Sequence, residues 1–170
     1  MATTEQHKVS RSLLITSDPV ALLIFARHSL NGTDLGPGAL GYNAKGLVIY
    51  DTNGYMSVSM ATTTPEFIPP IRDPNEPTEE DFALVGKHIL MYSGELSLAW
   101  ENSTTTEGRV YHGPLLTSTQ TSWIGTKQTR DYIVTKNASE TGGRDILHLY
   151  SKNVTSDSIA DIYWGRPPPT

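Results

Sequence analysis

Residues 46–60, GLVIYDTNGYMSVSM, limit what this chain can fold into more than any other stretch. Asn53-Gly54 is the strongest short hairpin signal, because both residue types tolerate positive φ. The flanks are rich in β-branched and aromatic residues and alternate in polarity. Met56, Val58 and Met60 fall on one side, Tyr55, Ser57 and Ser59 on the other. The expectation is strand, two-residue turn, strand. The apolar side with Met56 and Met60 should face a core, and Tyr50 and Tyr55 should flank the turn.

The rest of the 170 residues extends this pattern. Strand signals recur at 20–30, 46–51, 54–61, 90–100, 109–112, 123–134, 145–152 and 159–166, mostly with short polar connections. One helix is expected from Glu79 to about Ile89: Thr78 is a good N-cap, and Glu79, Glu80 and Asp81 suit the positive end of the helix dipole. Phe82, Val85, Ile89 and Tyr92 recur at helical spacing, so one face of that helix should pack. With no long helix between successive strands, a parallel α/β sheet is disfavoured. Eight antiparallel strands with one inserted helix predict a mainly β protein, a sandwich or a closed barrel with room for one small ligand. Residues 1–17 read as a flexible N-terminal segment with a short helical piece at 10–15, and residues 18–170 as one domain.

Composition narrows function by exclusion. The formal net charge is −5 with no basic stripe, which argues against nucleic-acid binding. The chain has no Cys, so disulfides and thiolate metal sites are excluded. The apolar run 20–25 is too short for a membrane span and leads into Arg27 and His28, unlike a signal peptide. A soluble cytoplasmic protein is expected. Four Asn-x-Ser/Thr matches, at Asn31, Asn102, Asn137 and Asn153, then read as chance. His28, His88 and His148 fall on three separate elements, so no metal site is read, and neither a phosphate loop nor a dinucleotide fingerprint is present. No cofactor is expected.

The order of motifs resembles the lipocalin-like domain family of small calycin-type barrels of bacteria and fungi. The matching pieces are Leu35-Gly36-Pro37, the 46–60 hairpin, MYSGELSL (91–98) reached through a helix, GRVYH (108–112), WIGTKQTRDYIV (123–134), DILHLY (145–150) and IYWGR (162–166). The resemblance implies an eight-stranded antiparallel lipocalin-like barrel. One piece departs from it. Family members open with Gly-x-Trp on the first strand, where the Trp packs against a late Arg. Here Asp18-Pro19-Val20-Ala21-Leu22 stands instead, and Arg166 has no such partner. Either the closed end is rebuilt or the first strand is displaced.

Strand alternation sorts side chains that could carry chemistry. Val110 and His112 share one face, as do Thr126, Gln128, Arg130, Tyr132 and Val134, and so do Tyr92, Leu96, Leu98 and Trp100. A cavity with Tyr92, Met56, Met60, Trp123, Tyr132 and Trp100 as lining would be apolar with a few polar anchors. His112, Arg130 and Gln128 are the candidates for polarising a carbonyl or moving a proton, since a planar guanidinium suits an oxyanion. His88 lies on the helix, which could cover the mouth. Bland alternatives stand beside each: His112 as a satisfied core histidine, Arg130 as an ion-paired arginine, the aromatic and Met residues as core. Two functions follow. The first, implied by the use of such barrels in fungal pathways, is a cofactor-free isomerase or cyclase acting on a polyketide- or terpenoid-type intermediate. The second is a non-catalytic carrier of a small hydrophobic molecule. The cavity should open near the 36–46 loop and the 65–90 excursion. Edges left by imperfect closure would support a homodimer.

Overall fold

The computed structural model describes residues 20–36, 38–70, 76–99, 101 and 103–167. The 1–17 segment therefore lies outside the described residues, as do Asp18, Pro19, Pro37, Trp100 and Asn102. Among the described residues nine strands form one antiparallel sheet: β1 (Val20–Leu30), β2 (Thr33–Gly36), β3 (Lys45–Tyr50), β4 (Tyr55–Ala61), β5 (Ile89–Leu98), β6 (Glu107–Ser118), β7 (Gln128–Ala138), β8 (Arg144–Asn153) and β9 (Ser158–Gly165). Among the described residues there is one α-helix, α1 (Glu79–His88), between β4 and β5. Apart from β2, which hangs on the end of β1, neighbours in sequence are neighbours in the sheet. β1 pairs with both β3 and β9, closing eight strands into a barrel.

Closure uses the alternation read from the sequence. Val48 and Tyr50 on β3, Met56, Val58 and Met60 on β4, and Val110 and His112 on β6 are all buried in one interior. Tyr55 points out and is half exposed. Each large apolar side chain buried this way contributes about 1.5–3 kcal/mol.

The first strand is not displaced. Its departure from the family pattern is answered by a rebuilt closed end: Trp164, from the last strand, is buried there with Leu23 and Leu147 as cross-strand partners. Its indole N–H is the one buried side-chain polar atom among the described residues with no partner. Arg166 instead pairs with Asp145 on the rim, at 3.5 Å. Tyr132 finishes this end by donating its hydroxyl to the Thr104 carbonyl at 2.7 Å.

Several expectations need correcting. The hairpin turn is not a two-residue one. Gly54 alone is at positive φ (85°), the Gly54 amide donates to the Asp51 carbonyl (3.0 Å), and the Asp51 amide donates to the Tyr55 carbonyl (2.8 Å). That is a type I turn followed by a glycine bulge, favoured because the Asp51 carboxylate accepts from the Asn53 amide at 2.9 Å. β2 falls outside every strand expected from the sequence, because it is four residues long and carries no apolar alternation. β6 runs on through Pro114 to Ser118, because Pro114 falls where the β5–β6 register shifts and no ladder donor is needed. β7 begins only at Gln128: Thr121–Trp123 is a 3-10 turn, and Gly125 at φ 79° breaks the extended run. Closure pairs the strands all round the barrel and leaves the short β2 at the sheet's end.

The helix stripe is the largest reversal. The N-cap expected at Thr78 is present, and it forms a capping box, with the Asp81 amide on the Thr78 hydroxyl (3.2 Å) and the Thr78 amide on the Asp81 carboxylate (2.8 Å). Phe82 and Val85, however, are 62% and 45% exposed. Asp81 is buried instead, and α1 packs chiefly on the 3-10 turns Gly38–Leu40 and Pro65–Phe67. No helix among the described residues is long and apolar enough to cross a membrane.

Candidate functional site

The strand ends opposite Trp164 surround a cavity of about 480 Å³. β4 supplies Met60, β1 supplies Ala26 and His28, and β9 supplies Ala160 and Ile162. Leu40 and Ala39 come from the first 3-10 turn, Gly86 and Lys87 from the last turn of α1, and Ile89 and Leu90 from the start of β5. Trp123 reaches it from the 3-10 turn before β7, and Arg130 from β7 itself. Apolar side chains make most of this wall, and its size suits a small organic molecule. It lies where the sequence placed an opening, beside the 36–46 loop and the 65–90 excursion.

A second depression of about 670 Å³ is larger. It is a trough on the outer wall, lined among others by Arg109, Tyr111, Asp131 and Tyr150. Its arginine is already neutralised: Arg109 donates twice to the Asp131 carboxylate, at 2.7 and 3.2 Å. The end cavity, set into the mouth of the barrel and lined by Arg130, which is not paired in this way, is the better candidate.

Below that cavity is a buried polar chain. His112 is fully buried, with Nε2 2.8 Å from the Tyr50 hydroxyl and Nδ1 3.2 Å from the Tyr92 hydroxyl. Burial, and then the charge of Arg130, push the imidazole down from its ordinary 6.5 to about 3. It is therefore neutral at physiological pH, with one N–H and one bare nitrogen. The shorter contact suits O–H donation from Tyr50 to bare Nε2, and the longer suits N–H donation from Nδ1 to Tyr92. That assignment leaves the Tyr92 hydroxyl hydrogen uncommitted. Burial raises the pKa of both tyrosines, with Arg130 opposing it, so both are phenols and not phenolates. Tyr92 stands edge-on to Trp123, ring centres 6.0 Å apart, one side chain behind the cavity wall.

The chain is a member of the lipocalin-like domain family. The family's sequence model matches residues 33–166, from β2 to just past β9. The match begins after β1, the strand that departs from the family pattern. Comparison with curated proteins and with solved structures gives no significant match. A lipocalin-like barrel is a fold that typically encloses small hydrophobic ligands.

In this lipocalin-like barrel the candidate residues take different places. Met60, Trp123 and Arg130 line the cavity. Tyr92, Met56 and His112 are buried in the core beneath it and do not line it. Gln128 faces inward opposite His112, but its amide is held by the Thr126 hydroxyl at 3.0 Å. Tyr132 belongs to the closed end. His88 lies at the mouth as a clamp and not as lining: Nδ1–H donates to the Ala39 carbonyl at 2.5 Å while the ring stacks on Phe67. Trp100 lies outside the described residues.

Sequence reasoning missed three participants. Tyr50, singled out only as a hairpin flank, shares the inward face of β3 with Val48, a parity that would have placed it beside His112. Asp161 is a buried carboxylate on the outer face of β9, behind the cavity wall, held by Arg27 at 3.2 Å and His148 at 2.7 Å; a lone acid inside the run Ile159–Trp164 was its signal. Lys87, in the last turn of α1, also lines the cavity, and nothing in the sequence distinguishes it from any lysine at a helix end.

Proposed function

We propose that this barrel holds a small, mostly apolar molecule in the cavity at its open end and acts on it as a cofactor-free isomerase or cyclase. The reading extends to a polyketide- or terpenoid-type natural-product intermediate, handled inside the cell. The observation that carries it is the cavity of about 480 Å³ at the open end of the barrel, largely apolar, with Arg130 in its wall. Holding a flexible substrate in a reactive fold lowers the entropic part of the barrier. Arg130 is the group positioned to polarise a carbonyl as charge develops on it. His112 acts behind the wall. Being neutral, it does not supply a proton itself; it fixes Tyr92, whose uncommitted hydroxyl hydrogen is the nearer donor.

One observation favours the second reading, a carrier. Both nitrogens of His112 are taken by tyrosines, and none of the three lines the cavity, so a proton relay through them needs a ligand reaching past Trp123. The test is to incubate the purified protein with metabolite extract from its own source and follow products by mass spectrometry. A new compound of unchanged mass and altered retention, lost in Arg130→Ala, supports turnover. A molecule that co-purifies and is recovered unchanged, with no new product, means carriage and refutes catalysis.

A further inference from the structure

The charges around the cavity do not balance. Lys87 and Arg130 line it, while Arg27 and the Asp161 carboxylate, which alternation puts on the outer face of the wall, pair with each other, in a chain whose formal net charge is −5. Asp161 is already committed, to Arg27 at 3.2 Å and to His148 at 2.7 Å. Arg130 is only half exposed, yet its hydrogen bond is to the neighbouring Thr129 carbonyl, at 2.7 Å. No carboxylate among the described residues pairs with Arg130 or with Lys87. A partly buried guanidinium without a counter-charge is costly, and the cost falls when an anion arrives with matching hydrogen-bond geometry. The two unpaired cations also differ in depth. Lys87 sits at the mouth, in the last turn of α1, while the charge of Arg130 reaches inward to Tyr50, Tyr92 and His112.

We propose that the cavity takes an amphiphile bearing one anionic oxygen group, a carboxylate or an acidic enolate. Its charge meets Arg130, and its apolar body lies against Leu40, Leu90, Trp123 and Ile162. Lys87 draws the anion to the mouth. The inference rests on the reading that the cavity binds a small molecule, and it adds the charge that the molecule carries. A neutral hydrocarbon-like ligand would leave Arg130 desolvated and unpaired, so the cavity discriminates against it.

Isothermal titration calorimetry on the whole protein at neutral pH tests this with three probes: decanoate, decanol, and an acyl-substituted cyclic β-diketone ionised as its enolate. At least one anion should bind about tenfold or more tighter than decanol, the effect of one added charge-assisted hydrogen bond. Which anion binds distinguishes carboxylate from enolate as the source. Arg130→Gln should erase the preference while leaving decanol binding in place, and Arg130→Lys should restore part of it. A purely structural role for Arg130 would instead weaken all probes together. Decanol binding as tightly as both anions overturns the inference and leaves small-molecule binding intact. If no probe binds, the binding reading fails and the inference falls with it.

Discussion

The neutral, sealed state of His112 makes acid the sharpest probe of this barrel. The unfolded chain takes up a proton on this residue near the ordinary 6.5, while the folded protein resists until about 3. Between those values the unfolded state binds more protons, so stability falls as pH falls. The contribution is fully present above the unfolded value, and its slope approaches about 1.4 kcal/mol per pH unit below it. From pH 7 to pH 5 the loss from His112 alone is about 2 kcal/mol, and over the whole window it is on the order of 5 kcal/mol. His112→Gln keeps an amide able to face both tyrosines and removes the titration. Urea unfolding of both proteins across that pH range gives two curves, and the contributions that the two proteins share cancel in their difference. The wild-type protein should lose about 2 kcal/mol more than the variant between pH 7 and pH 5. NMR of the His112 ring gives a second readout that does not depend on the variant folding. A flat difference curve, or a ring that titrates near its ordinary value, would refute the claim that His112 is held neutral by burial and by Arg130.

Three further outcomes follow from particular contacts. Tyr50→Phe leaves the bare Nε2 of His112 buried without a donor and should cost about 1–3 kcal/mol in urea unfolding. The triple change Tyr50→Phe, His112→Leu, Tyr92→Phe should recover much of that loss; a triple variant well below the single one would mean that the polar chain does more than satisfy itself. Gly94→Ala places a Cβ 2.5 Å from the Pro114 carbonyl oxygen and 2.8 Å from Leu115 Cα, so β5 and β6 must part, at about 1–3 kcal/mol; an unchanged Tm would show that this close approach yields easily. Asp161→Asn removes the carboxylate shared by Arg27 and His148 and should cost about 1.5–3 kcal/mol, whereas Arg27→Met should cost less because Arg27 is largely solvated; equal losses would contradict this ranking.

What the sequence by itself determined was local and periodic. Period-two alternation put Met56, Val58 and Met60 inside and Tyr55 outside, because successive residues of a strand face opposite ways. Thr78 and Asp81 determined where the helix starts, since a cap needs only neighbours in the chain. The motif order carried the family, and the missing Gly-x-Trp marked the end that had to be rebuilt. What the tertiary structure decided was everything that depends on partners far along the chain. Phe82 and Val85 have helical spacing, but spacing does not say whether a surface is present for them to meet; the 3-10 turns engage the other side of α1, and the stripe faces solvent. His112 looked like a ligand-facing residue because its parity is inward. Only the closed barrel brings Tyr50 from 62 positions and Tyr92 from 20 positions away to seal it. Arg130 shares its inward parity with Tyr132, yet one faces a cavity and the other plugs an end, because depth along a tilted strand is set by register with its neighbours.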